Sequence, residues 1–109
     1  MNYSVKTTDI FEKQAKRLIK KYPSLISEIY QLVSTLKTNP TQGKSLGKNC
    51  YKVRISIASK GKGKSGGARL ITNFVISENT VYLISIYDKS EKDSISDKEL
   101  SILLQSIPQ

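Results

Sequence analysis

Apolar residues recur at helical spacing twice in the first third of the chain. Phe11, Ala15, Leu18, Ile19 and Tyr22 stand at i, i+4, i+7, i+8 and i+11, one face of a helix, with Lys13, Lys16, Arg17 and Lys20 on the other. The polar run Thr7, Thr8, Asp9 offers side-chain oxygens to cap that helix, and Tyr3 to Lys6 before it reads as a short strand. Pro23 suits the first turn of a second helix, in which Leu25, Ile29, Leu32, Val33 and Leu36 repeat the spacing until Asn39 and Pro40 end it. Two amphipathic helices joined by about three residues predict an antiparallel hairpin, each helix burying its stripe against a sheet.

The period then changes to two. Tyr51, Val53, Ile55 and Ile57 alternate with Lys52, Arg54, Ser56 and Ala58, which predicts a strand with one face in the core and a cationic face in water. Arg69 to Ile76 and Val81 to Tyr87 are apolar or β-branched on both faces, with Ser77 to Thr80 as the turn of a hairpin. Ser96 and Glu99 have capping-box spacing ahead of the stripe Leu100, Leu103, Leu104 and Ile107. The expected order is β-α-α-β-β-β-α, an α+β fold with a mostly antiparallel sheet packed on a helical hairpin.

Length adds that this is one domain over residues 1–109: the chain shows no internal repeat and no linker, and 38% hydrophobic content suffices for one modest core. There is no long apolar run and no apolar leader after Met1, so a soluble, cytoplasmic protein with no membrane contact is expected. The single cysteine, Cys50, reads as a small core residue. Without histidine, the common zinc-ligand spacings are unfilled, no metal or other cofactor is expected, and acid/base chemistry falls to Lys, Arg, Tyr, Asp or Glu.

Charge changes the picture most. Eighteen Lys and Arg oppose nine Asp and Glu, a net charge of +9. The excess lies between Glu28 and Glu78, where Lys37, Lys44, Lys48, Lys52, Arg54, Lys60, Lys62, Lys64 and Arg69 meet no acidic residue. Such a segment points to an anionic partner, nucleic acid or an acidic protein, against the simpler alternative of a solvated basic surface. The stretch from Ser59 to Gly67 is glycine- and lysine-rich and separates two strands. Gly63-Lys64-Ser65 echoes a phosphate-binding loop, but Ala58 stands where the first glycine belongs and a strand follows instead of a helix. The loop reads either as a flexible, soluble connection or as an arm whose backbone NH groups and Lys60, Lys62 and Lys64 wrap a phosphate backbone.

Leu46-Gly47-Lys48-Asn49-Cys50-Tyr51-Lys52-Val53-Arg54-Ile55, then Gly67-Ala68-Arg69-Leu70-Ile71, then Ile84-Ser85-Ile86-Tyr87-Asp88-Lys89 resemble the core of RelE/ParE-superfamily toxins. The inserted loop Ser59–Gly67 and the run Ile86–Lys92 are similar to the HigB-like branch. The resemblance covers nearly the whole chain. It implies a RelE-like fold and a toxin of a type II toxin-antitoxin pair, a ribosome-dependent mRNA endonuclease acting on translated mRNA. Its implied partners are the ribosome with its rRNA and a cognate antitoxin, with the free toxin a monomer. By position Lys52, Arg54, Arg69 and Lys89 match basic residues of the family and are the catalytic candidates, joined by Tyr87, while Lys48, Lys60, Lys62 and Lys64 are the RNA-binding candidates from the charge pattern. The tyrosine that RelE carries after its last strand falls here near Ile95, which cannot transfer a proton, so Tyr87 is the substitute phenol.

RNA carries its own nucleophile, the 2′-OH, so cleavage requires in-line orientation, proton removal and stabilisation of phosphate charge, and in principle no metal. Lysine can accept a proton whereas arginine stays charged, which favours Lys52 as base and Arg54 as clamp. Arg69 would hold the phosphoryl oxygens, and Lys89 or Tyr87 would assist the departing 5′-oxygen. Two other functions fit the same charge pattern: a ParE-like toxin that poisons gyrase without cutting RNA, and a non-enzymatic RNA-binding module.

Overall fold

A computed structural model of the chain describes residues 2–57 and 67–108. Strand β1 (Ser4–Thr7) leads into helix α1 (Asp9–Lys21), where Thr8 is the N-cap and its hydroxyl accepts from the Phe11 amide at 3.2 Å. Asp9 and Glu12 in the first turn and Lys20 and Lys21 in the last suit the helix dipole. Helix α2 (Leu25–Leu36) buries Leu25, Ile29, Leu32 and Leu36. Ser24 is its N-cap, so Pro23 lies in the connection just before the helix and not inside the first turn. The Leu25 amide bonds to the Tyr22 carbonyl across that short connection, and a proline on its second residue keeps the chain turning.

Four strands follow instead of three. β2 (Lys44–Gly47), unanticipated in the sequence pattern, forms a hairpin with β3 (Cys50–Ile55), which is shorter at its C-terminal end than the alternation to Ile57 suggested. β4 (Ala68–Val75) and β5 (Thr80–Asp88) complete the sheet, and α3 (Asp97–Gln105) ends the described fold. A short 3-10 turn, Ile76–Glu78, and a left-handed Asn79 connect β4 to β5, so Thr80 belongs to the strand. The observed order is β-α-α-β-β-β-β-α, an α+β fold whose sheet runs β1-β5-β4-β3-β2, with β1 parallel to β5 and the other pairs antiparallel.

Both sheet faces are covered, which explains why β4 and β5 read as apolar throughout. On one face Phe11, Ala15 and Leu18 of α1 and the α2 stripe pack on Val53, Ile55, Leu70, Val81, Leu83 and Ile86. On the other, Leu100 and Leu103 of α3 join Cys50, Ile71, Tyr82, Ile84 and Tyr87. The α3 N-terminus has the expected capping box: the Ser96 hydroxyl accepts from the Glu99 amide at 3.1 Å, and Glu99 Oε1 accepts from the Ser96 amide at 3.0 Å. A bulge between Ile71 and Thr72 shifts the β4–β5 register by one residue, since Ile71 faces Ser85 and Thr72 faces Leu83. Gln14 of α1 serves the disturbed backbone there, its Oε1 accepting from the Ile86 amide and the Ser85 hydroxyl, both at 3.0 Å. No described helix is long and apolar enough to cross a membrane.

Candidate functional site

The register places three of the candidate residues in one row across the sheet. Arg54 on β3 faces Arg69 on β4, and Arg69 faces Tyr87 on β5. Directly opposed residues of an antiparallel ladder point to one face with Cβ atoms about 5 Å apart, so two guanidinium groups and a phenol from distant segments share that face. Lys52, two residues before Arg54, lies in the next row on the same side, opposite Ile71. Lys89 follows the end of β5, its amide bonded to the Gly67 carbonyl at 3.0 Å.

This face is not the open cationic surface expected from the alternation in β3. Arg54 is exposed and Lys52 half-buried, but Arg69 and Tyr87 are each only 6% exposed. The helix stripe that the sequence assigned to α3 packs over β5, with Ile95 tucked against the same apolar cluster. Ile95 is therefore a packing residue of this cover. Arg69 donates from Nη1 to the Ala68 carbonyl at 3.2 Å. The Tyr87 hydroxyl is buried and has no hydrogen-bond partner among the described residues. Burial pushes this phenol above the ordinary tyrosine range; nearby Arg69 draws it down, and Asp93 and Glu99 push it further up.

The segment after β5 is anchored by charge. Asp88 is fully buried and accepts from the Tyr22 hydroxyl at 3.2 Å, the Ser90 amide at 2.9 Å and the Ser90 hydroxyl at 2.8 Å. Glu91 meets Arg17 at 2.9 Å and Lys21 at 3.3 Å, tying the segment to the end of α1, and both contacts hold its carboxyl below the usual range. Lys89 pairs with Asp93, and Lys92 with Glu99. These contacts fix the place of Lys89 at the rim of the row.

Lys48 lies apart from the row, exposed at the tip of the β2–β3 hairpin, with its amine 3.5 Å from the Ser101 hydroxyl of α3. Lys60, Lys62 and Lys64 fall outside the described residues. Cys50 is buried as expected, and burial pushes its thiol above the ordinary range. Lys44, counted only for its charge in the sequence reading, stands directly opposite Lys52 through the unanticipated strand β2. The short run Lys44–Gly47 gives too few alternations to announce a strand, although Lys48-Asn49 behind a glycine is a turn signal that could have revealed the hairpin. Lys13, Lys16 and Lys20 are exposed on α1, on the opposite side of the sheet. Among the described residues, no three His, Cys, Asp or Glu side chains lie together in a way that could hold a metal ion.

A family model described as the RelE toxin of the RelE/RelB toxin-antitoxin system matches residues 5–107. Among solved structures, the fold is similar to a free-state arginine-to-alanine double mutant of the Escherichia coli toxin RelE, at 17% identity and a TM-score of 0.64, covering 99% of this chain and 100% of the other. It is also similar to a metal-bound toxin from Helicobacter pylori, at 22% identity and a TM-score of 0.52, covering 83% of this chain and 98% of that one.

Proposed function

Given that this chain belongs to the RelE toxin family, and so is a toxin of a toxin-antitoxin system with a cognate antitoxin as partner, we propose that it is a ribosome-dependent mRNA endonuclease. The observation that carries this reading is the row Arg54, Arg69, Tyr87, with Lys52 beside it: cations for a phosphate next to a protonated phenol.

The proposed reaction is transesterification. The ribose 2′-oxygen attacks the adjacent phosphorus while Lys52, as general base, takes up its proton. The bond from phosphorus to the 5′-oxygen breaks, leaving a 2′,3′-cyclic phosphate. Arg54 and Arg69 stabilise the charge that builds on the phosphoryl oxygens, as fixed donors aimed at a developing anion. The leaving 5′-oxygen takes a proton from Tyr87, whose burial keeps the hydroxyl protonated at neutral pH. Lys89, which pairs with Asp93 at the rim, would contact a neighbouring phosphate in this scheme. Because Arg69 and Tyr87 are buried, RNA reaches them only when the residues covering them shift, and docking on the ribosome supplies the energy for that shift.

Induction of the wild-type chain in bacteria, followed by primer extension on a translated message and an untranslated control, tests the proposal beside Lys52→Ala and Arg69→Ala. Cuts confined to translated message and abolished in the variants support it; Lys52→Ala should keep most RNA affinity, which separates a nuclease from a simple RNA binder. Full cleavage by both variants would refute the residue roles. Growth arrest with intact mRNA would refute the activity and point to a protein target such as gyrase.

A further inference from the structure

The β2–β3 hairpin carries two features that cost stability and add nothing to the core. Lys44 is directly opposite Lys52, two like charges on one face of an antiparallel ladder. Gly43 makes this approach possible: its φ is +106°, and a Cβ there would come within 2.6 Å of the Lys52 carbonyl oxygen. At the hairpin tip, Lys48 and Asn49 are both left-handed, with φ of 54° and 60°. This is the sign pattern of a type I′ turn, which asparagine and glycine enter readily and lysine does not.

Backbone strain of this kind persists only where its surroundings over-determine it. Here buried Asn73 does so, donating from Nδ2 to the Lys48 carbonyl at 3.0 Å and the Asn49 carbonyl at 3.3 Å, while the Phe74 amide donates to the Asn49 carbonyl at 2.9 Å. Asn73 thus holds the backbone of the turn, which keeps its shape with a lysine at a position asparagine enters more readily. The Lys48 amine reaches toward Ser101 of α3, and so leans to the sheet face that carries Arg54 and Lys52.

We propose that Lys44 and Lys48 are RNA phosphate seats, extending the basic face from Arg54 and Lys52 along the hairpin to its tip. The inference rests on the nuclease reading above. Arg54 lies four positions along β3 from the tip-proximal Cys50, about 14 Å at strand rise, so the hairpin contacts phosphates flanking the cut site, beside α3 and not beneath it. These seats hold the strand by charge and do not read bases.

The test uses a short 2′-O-methylated oligoribonucleotide, which binds but lacks the nucleophile, titrated against the full chain over a range of salt. Lys48→Asn and Lys44→Thr replace each lysine with a residue its backbone position prefers. Each is expected to raise Tm by about 2–6 °C, weaken binding roughly 3- to 10-fold and lower the log–log salt slope by about 0.7. Lys48→Arg should keep the slope. Wild-type affinity and slope in Lys48→Asn and Lys44→Thr would overturn the proposal while leaving the nuclease reading intact. Absence of binding together with absence of mRNA cleavage by the wild-type chain would overturn the nuclease reading, and this one with it.

Discussion

Replacing Tyr87 by phenylalanine should move stability and activity in opposite directions. The hydroxyl is buried without a partner among the described residues, and leaving such a group dry costs about 1–3 kcal/mol. Phenylalanine keeps the ring in the cluster with Ile71, Ile84, Leu100 and Leu103 and removes that cost. Allowing for relaxation, a gain of up to about 1–2 kcal/mol is expected, and a domain of this size gains roughly 4–8 °C in Tm per kcal/mol. The same substitution removes the proposed proton donor, for which a loss of about 10²- to 10⁴-fold in cleavage is expected. The pH dependence follows the same logic. Burial raises the pKa of this acid in the folded state, so the fold resists its ionisation and loses stability as pH rises beyond the ordinary tyrosine value; Tyr87→Phe should lessen that alkaline loss. Thermal melts at neutral and alkaline pH, beside primer extension on a translated message, measure all three. A fall in Tm of about 4 °C or more would show that the hydroxyl is bonded in the fold. Cleavage within about 2-fold of wild type would show that it donates no proton in the rate-limiting step.

Asn73→Ala strips the Lys48–Asn49 turn of its side-chain donor and should destabilise the chain by about 1–3 kcal/mol in urea denaturation; a value near zero would mean the turn holds itself. Acidification should lower stability modestly below about pH 5, since the ion pairs concerned lie at the surface. Glu91 (held down by Arg17 and Lys21), Asp93 (by Lys89) and Glu99 (by Lys92) have depressed folded-state pKa values, so their contribution is present above the ordinary carboxylate range and lost as pH falls through the folded values. Glu91→Gln should flatten the acid limb of denaturation midpoint against pH, and an unchanged limb would remove Glu91 from the account.

The helical stripes, the capping box at Ser96 and the alternation in β3 are local patterns, and they determined the α+β class, the element order apart from β2, and the cationic sign of one segment. A helix announces itself because its period repeats within one segment, and Leu25 to Leu36 needs no distant residue to be recognised. Likewise the choice of Lys52, Arg54, Arg69, Tyr87 and Lys89 came from sequence, through charge and family resemblance. Their placement did not, because register is a property of pairs of strands. Only the ladder brings Arg54, Arg69 and Tyr87 into one row and sets Lys44 against Lys52.

Burial was equally out of reach of local pattern. The solvent-face periodicity of β3 said nothing of α3, some forty residues on, packing over β5 around Tyr87, nor of the burial of Arg69. Pro23 and the Lys48 turn show the same limit at short range: propensity states what a residue prefers, while the packing of Leu25 and the hydrogen bonds of Asn73 decide what it does. Sequence thus determined which chemical groups the chain owns and which segments carry them, since both are written in residue type and period. The tertiary structure alone decided which groups meet and which are dry, because contact and desolvation arise between segments that are remote along the chain.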